Sequence, residues 1–305
     1  MKNIALLHNS GAGDGLFTKK ELVELITSEG FDCRYSSTNE KGWEIIDPHT
    51  DFILIAGGDG TVRKVIRKLS QPGKPLVDCP IAILPLGTAN NIFKSIGYKV
   101  TVKEIIQSLH QPVIKKYDLG SVAGLPEGKF FLEGIGFGIF PHVMRKAMKL
   151  EKKDEKEKEE KPAEEKIHTA LNLMQQSIHT YEPKNCEVEI DGTSHSGKYL
   201  LAEIINTCFI GPNLLLSTHG DPGDGKLEIV LMDENDKDDF ERYLSNKING
   251  DKSPYPYRAL KGKEIKIRWS GKSAHLDDKL LKLEKEQEIS ISINEGVLNF
   301  VVPQS

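Results

Sequence analysis

The tightest constraint in this chain is one stretch where an apolar run passes without a spacer into a glycine turn and then a helix. Phe52 through Ala56 reads FILIA, the composition of a strand covered on both faces. Gly57, Gly58, Asp59, Gly60 and Thr61 follow at once. Val62, Val65, Ile66 and Leu69 then recur at helical spacing. A strand buried on both faces needs helices on both sides, which means an α/β layer fold. Ile4 to His8 and Ile81 to Leu84 are two further strand-like runs. Thr18 and Glu21 form a capping-box pattern ahead of Leu22, Leu25 and Ile26. A short helix is predicted over Asn91–Ile96, ending at Gly97, and another carrying Val102, Ile105, Ile106 and Leu109.

Each of the three strands runs into a loop of small residues. The first is His8-Asn9-Ser10-Gly11-Ala12-Gly13, the second the turn at Gly57 to Thr61, and the third Pro85-Leu86-Gly87-Thr88-Ala89-Asn90-Asn91. Parallel strands would bring all three to the carboxyl edge of the sheet, where open α/β sheets bind ligands. Glycines let backbone N–H groups approach an anion, and a helix N-terminus adds partial positive charge. Asp59 adds a carboxylate able to act on a metal beside phosphates. The pattern points to a nucleotide-phosphate site, the alternative being tight turns with no ligand.

Beyond Tyr117 the texture changes to short alternating segments with polar turns. They are Cys186 to Ile190, Tyr199 to Ile205, Lys226 to Leu231, Glu264 to Trp269, Glu288 to Ile293 and Val297 to Val302. These predict a β-rich second domain. Residues 151–166, EKKDEKEKEEKPAEEK, hold 8 acids and 6 bases in 16 positions, and read as a solvated helix extension or mobile insert.

Composition narrows the class. Lys+Arg is 41 and Asp+Glu 45, a net charge of -4, which argues against coating nucleic acid by bulk charge. No apolar run approaches the ~20 residues of a spanning helix, and the N-terminus carries no signal-like segment. Cys33, Cys79, Cys186 and Cys208 lie far apart and read as reduced, buried thiols of a cytoplasmic protein. Oligomeric state is left open.

Gly57-Gly58-Asp59-Gly60-Thr61 together with Pro85-Leu86-Gly87-Thr88-Ala89-Asn90 resembles the diacylglycerol kinase catalytic-domain family of bacterial lipid kinases. That family is related to sphingosine and ceramide kinases and more distantly to NAD kinase, which shares the first motif. Asn9-Ser10-Gly11, Gly134-Ile135-Gly136-Phe137-Gly138 and Asp224-Gly225-Lys226-Leu227 are similar to further family segments, so the resemblance covers nearly the whole chain. It implies an α/β nucleotide-binding domain at 1–117 with 294–305 returning to it, and a β-sandwich substrate domain at 118–293 containing the 151–166 insert. The active site would lie in the cleft between them. It implies transfer of the ATP γ-phosphoryl to a hydroxyl of diacylglycerol or a related lipid, in phospholipid metabolism. Asn9, Ser10, Gly57, Gly58, Gly60, Thr61, Gly87, Thr88 and Asn90 would hold ATP. Asp59 would join the Mg²⁺ and phosphate network, and Asp224 a second, structural metal site. The lipid would be met peripherally at the inner membrane face. The helix face with Arg63, Lys64, Arg67 and Lys68 would attract anionic head groups at about 1 kcal/mol per charge, or serve as an ordinary solvated face.

The chain departs from the family pattern at three motif positions, each losing a carboxylate. Arg63-Lys64 stand for Asn-Glu, Asn90-Asn91 for Asn-Asp, and the late Asp-Gly-Glu is matched by Asp277-Asp278-Lys279. The family glutamate is the candidate base on the substrate hydroxyl, and Lys279 falls in its place. Asp277 keeps the family aspartate. Asp278 could stand in as base, or Lys279 could contact the phosphate as a point charge. A second reading is therefore a catalytically weakened nucleotide- or lipid-binding protein on the same fold, and a third is an NAD kinase.

Overall fold

The computed structural model describes residues 1–12, 17–70, 79–97, 100–126, 130–157, 162–256, 259–285 and 287–303. Gly13 of the first loop and residues 158–161 of the charged run lie outside them. The chain forms two units, Met1–Asp118 with Gly296–Ser305, and Leu119–Glu295.

The first unit contains β1 (Asn3–His8), α1 (Lys19–Ser28), β2 (Asp32–Ser37), β3 (Phe52–Gly57), α2 (Asp59–Leu69), β4 (Ile81–Pro85), α3 (Asn91–Ile96) and α4 (Val102–Ser108). The strands are parallel in the order β4-β3-β1-β2, with all of β3 buried. Thr18 and Glu21 close the expected capping box at the start of α1, and Thr101 and Glu104 do the same for α4. Val62, Val65, Ile66 and Leu69 of α2 are buried as the spacing predicts.

The expected basic face of α2 needs correction. Arg63 lies one turn before Ile66, on the flank of the apolar stripe, and is buried. The Lys64 amine donates to the Thr38 carbonyl at 2.6 Å, and Lys68 lies 3.6 Å from Glu44. Only part of this charge faces solvent.

The second unit begins within β5 (Val113–Ala123) and continues through β6 (Phe130–Phe131), β7 (Gly134–Gly138), α5 (Ile139–Glu157), α6 (Ala163–Ile178) and β8 (Lys184–Ile190). Then come β9 (Thr193–Ser194), β10 (Gly197–Tyr199), β11 (Leu201–Ile205), β12 (Phe209–Ile210), β13 (Leu214–Leu215), β14 (Leu227–Met232) and α7 (Lys237–Ile248). The last strands are β15 (Leu260–Gly262), β16 (Glu264–Trp269), β17 (Ser273–Leu276), β18 (Lys279–Lys282) and β19 (Glu288–Val302). One antiparallel layer runs β10-β8-β16-β19 and the other β15-β14-β11-β7-β17-β18. Val188, Ile265, Ile267, Trp269 and Ile291 of the first meet Ile135, Phe137, Ile204, Ile229 and Leu276 of the second in a shared core, which makes a β-sandwich.

Two features differ from the sequence expectation. The outer face of the six-stranded layer is covered by α5, α6 and α7, through residues such as Val143, Met174 and Phe240 against Leu201, Val230 and Met232. The charged tail of α5 hid the short apolar stripe at Ile139, Phe140 and Val143. Of the 151–166 run, residues 151–157 end α5 and residues 163–166 open α6, with Pro162 at the N-cap of α6. Second, residues 288–293 and 297–302 are one strand, β19. Its first half pairs with β16 through Glu288 to Ser292, and Phe300 pairs in parallel with Ile81 of β4. Gly296, at φ +61°, donates its N–H to Asp118 Oδ1 at 2.6 Å.

Candidate functional site

The three small-residue loops follow β1, β3 and β4 and share the carboxyl edge of one parallel sheet. The backbones of Gly58 and Gly87 are so close that a Cβ on Gly58 would stand 2.9 Å from the Gly87 Cα, and one on Gly87 would overlap Gly58. Neither glycine has a positive φ, so contact rather than conformation requires them. Asn90, in the left-handed region at φ 50°, locks its own loop. Its Oδ1 accepts the Gly87 N–H at 3.1 Å and its Nδ2 donates to the Gly87 carbonyl at 2.6 Å.

Asn9 ties the first loop to the second. Its Nδ2 donates to Thr61 Oγ1 at 3.1 Å, while its Oδ1 accepts from Gly11 N–H and Asn39 Nδ2. Thr61 is buried and packs on Gly57, so it holds the loops together from beneath. Ser10, Gly60 and Thr88 are exposed on the same loops.

Asp59 does something its motif position did not foretell. Its Oδ2 accepts the Asn91 N–H at 2.9 Å and its Oδ1 the Ile92 N–H at 3.0 Å, capping α3 from another element. Helix α2 itself starts at Asp59, with Gly58 at its N-cap and no side-chain cap. An uncapped helix N-terminus whose N-cap glycine packs on the Gly87 backbone can receive an anion such as a phosphate. Among the described residues no group of three His, Cys, Asp or Glu could cage a metal. Asp59 would therefore share Mg²⁺ with phosphate oxygens and water, the usual coordination of that ion.

In the second unit, Asp277 and Asp278 form the two-residue loop between β17 and β18, with Leu276 opposite Lys279. Asp277 is buried at φ 51°. Its carboxylate accepts the N–H groups of Leu132, Glu133 and Gly134 at 2.9–3.3 Å, and its own N–H donates to the Gly134 carbonyl. Those bonds commit Asp277 to anchoring the loop. Asp278 and Lys279 are exposed at its tip.

Beneath the loop lies a buried pair missed by sequence reading. His275 Nε2 stands 3.0–3.1 Å from both Glu203 carboxylate oxygens, and His275 Nδ1 is 2.9 Å from the Asp277 carbonyl. His275, Gly136 and Glu203 form one cross-strand row on β17, β7 and β11. A Cβ on Gly136 would overlap the Glu203 carboxylate, so this glycine of the GIGFG segment makes room for the pair. Burial raises the pKa of Glu203, and His275's charge and bond pull it partly back. For His275, burial lowers the pKa, but Glu203 and the Asp277 carbonyl outweigh it, and the net direction is up. The available signal was a lone glutamate inside the apolar run Leu200 to Ile205.

Asp224, the residue expected at a second metal, meets a lysine. Its Oδ1 accepts the Lys226 N–H at 3.0 Å, and its Oδ2 lies 3.0 Å from Lys261 Nζ. The four cysteines are free thiols, with Cys186 alone buried and its pKa pushed up to about 12.

A parallel sheet with three small-residue loops at its carboxyl edge, followed in the chain by a β-sandwich, defines a two-unit α/β-plus-β class. Comparison with known proteins specifies it. Residues 3–122 match the diacylglycerol kinase catalytic domain, and residues 161–281 the YegS C-terminal NAD kinase beta sandwich-like domain. The chain thus carries a diacylglycerol kinase catalytic domain over residues 3–122. It is 20% identical over 267 residues to a diacylglycerol kinase of Bacillus subtilis (strain 168), covering 82% of this chain and 80% of that one. A crystal structure of a diacylglycerol kinase from Bacillus anthracis str. Sterne shares the fold, with a TM-score of 0.70 at 18% identity, over 98% of this chain and 96% of that one. No helix among the described residues is long and apolar enough to cross a membrane.

Proposed function

We propose that the protein transfers the ATP γ-phosphoryl to a hydroxyl of diacylglycerol or a related lipid. The observation that carries this reading is the uncapped start of α2 held against Gly87. N–H groups at Gly58 to Gly60, with the Gly87 to Asn90 loop, hold the phosphates. Mg²⁺, when bound beside Asp59, neutralises charge on the phosphate oxygens. The acceptor oxygen bonds to the γ-phosphorus, the bond from phosphorus to the β–γ bridging oxygen breaks, and ADP leaves. The hydroxyl proton passes to Asp278, because the Asp277 carboxylate is spent on three backbone N–H groups. Lys279 steadies the transferred group as a point charge. A peripheral encounter at the membrane surface brings the lipid.

Pure protein with labelled ATP, Mg²⁺ and extracted membrane lipids should yield a labelled lipid, with NAD as a parallel acceptor. Asp278→Asn should lower kcat by about 10²–10⁴-fold. Labelled NADP in place of labelled lipid would overturn the acceptor. An Asp278→Asn rate equal to wild type would remove Asp278 as base. One observation favours the weakened-enzyme reading, the cation of Lys279 beside the base position. If that reading holds, wild type binds ATP without turnover and Lys279→Glu raises the lipid rate.

A further inference from the structure

Lys261 in the second unit reaches into a set of three oxygens. Its ammonium donates to Asp224 Oδ2 at 3.0 Å and to the His219 carbonyl at 3.2 Å, and forms an ion pair with Glu228 Oε1 at 2.7 Å. Two carboxylates and one carbonyl are hard oxygen donors of the kind a divalent cation selects. The strand register sets the Lys261–Glu228 pair, since Lys261 on β15 stands directly opposite Glu228 on β14. Asp224 sits in the turn just before β14, and its other oxygen is used by the Lys226 N–H. Glu228 is only 4% exposed, and a buried carboxylate needs a counter-charge.

We infer that the Lys261 ammonium is the resident cation of this site and replaces a structural metal, so that the second unit folds without one. A divalent ion cannot join the set while a positive charge already stands within 2.7–3.2 Å of the same three oxygens. Remove that charge and two carboxylates and a carbonyl face each other with nothing between them. Glu228 and Lys261 also line a cavity of about 520 Å³, through which a hydrated ion could reach the set. The inference concerns the second unit alone and stands whether or not the protein phosphorylates a lipid.

Thermal melting of the nucleotide-free full chain tests it, with chelator or with 10 mM Mg²⁺ or Mn²⁺. Wild type should melt at the same temperature in all three. Lys261→Met should melt lower in chelator and recover by about 3 °C or more with metal. Adding Asp224→Asn to Lys261→Met should abolish the recovery, which separates this site from any metal held near Asp59. A folded Lys261→Met that ignores metal would overturn the inference. So would a wild-type metal response that Asp224→Asn removes. Should Lys261→Met not fold in chelator, folding on metal addition supports the inference and failure in both overturns it. Mn²⁺-soaked wild-type crystals give an independent reading, because an anomalous peak between Asp224 and Glu228 would also overturn it.

Discussion

With His275 Nδ1 beside the Asp277 carbonyl, that nitrogen must be the donor, since a carbonyl only accepts. Nε2 then faces the Glu203 carboxylate, and one proton has to lie between them. Glu203→Leu would leave a buried histidine without its counter-charge and should cost about 3–5 kcal/mol. Glu203→Gln should be far milder, because its amide N–H can donate to a neutral Nε2. The two variants also differ in pH dependence. His275 has a raised pKa, so the stability it contributes is complete below the unfolded value of about 6.5 and drains as pH climbs through the folded value. Urea melts between pH 5 and 9 should show wild type weakening above pH 6.5 and Glu203→Gln lacking that slope. Equal slopes would refute the shared proton. His275 also supports the loop that carries Asp278, so the same titration should appear in the pH profile of any activity.

At the level of elements, β3, its glycine loop and α2 act as one piece with β4 and its loop. Gly58→Ala would drive a methyl into the Gly87 backbone, which has no side chain to yield. Parting the two loops should weaken Mg·ATP binding about tenfold or more, read by calorimetry, with an unchanged affinity counting against the cradle. This region was legible in sequence because its determinants are local. Apolar run, glycines and helical stripe are contiguous, and Thr18 with Glu21 fixes α1 within four residues. Asp59 was legible only as a motif member, since its partners at Asn91 and Ile92 belong to another loop. Glu203 with His275, and Lys261 with Glu228, are pairings across strands far apart in sequence, set by register rather than spacing. Helix α5 was missed because its apolar residues occupy only the first turns before the charged run begins.

At the scale of the whole molecule, the chain leaves the first unit at Asp118 and re-enters it at Gly296, where the Asp118 carboxylate holds the Gly296 N–H. The returning stretch is not trim. Leu298, Phe300 and Val301 are buried, and Phe300 packs edge-on against Tyr117 at 5.1 Å. Phe300→Ala should cost about 3–5 kcal/mol, measured by denaturant unfolding, and a loss below 1 kcal/mol would show the strand to be dispensable.

That return also imposes an order on synthesis. A ribosome finishes 1–118 early, yet β4 is without its β19 neighbour until residues 119–295 have been made. At roughly 5–20 residues per second, the wait is on the order of 10–35 s. Through that interval the nascent first unit carries an open sheet edge beside β4, the kind of edge that recruits other strands. The nascent chain is therefore most exposed to mispairing after its glycine loops have been made and before its last strand has been translated.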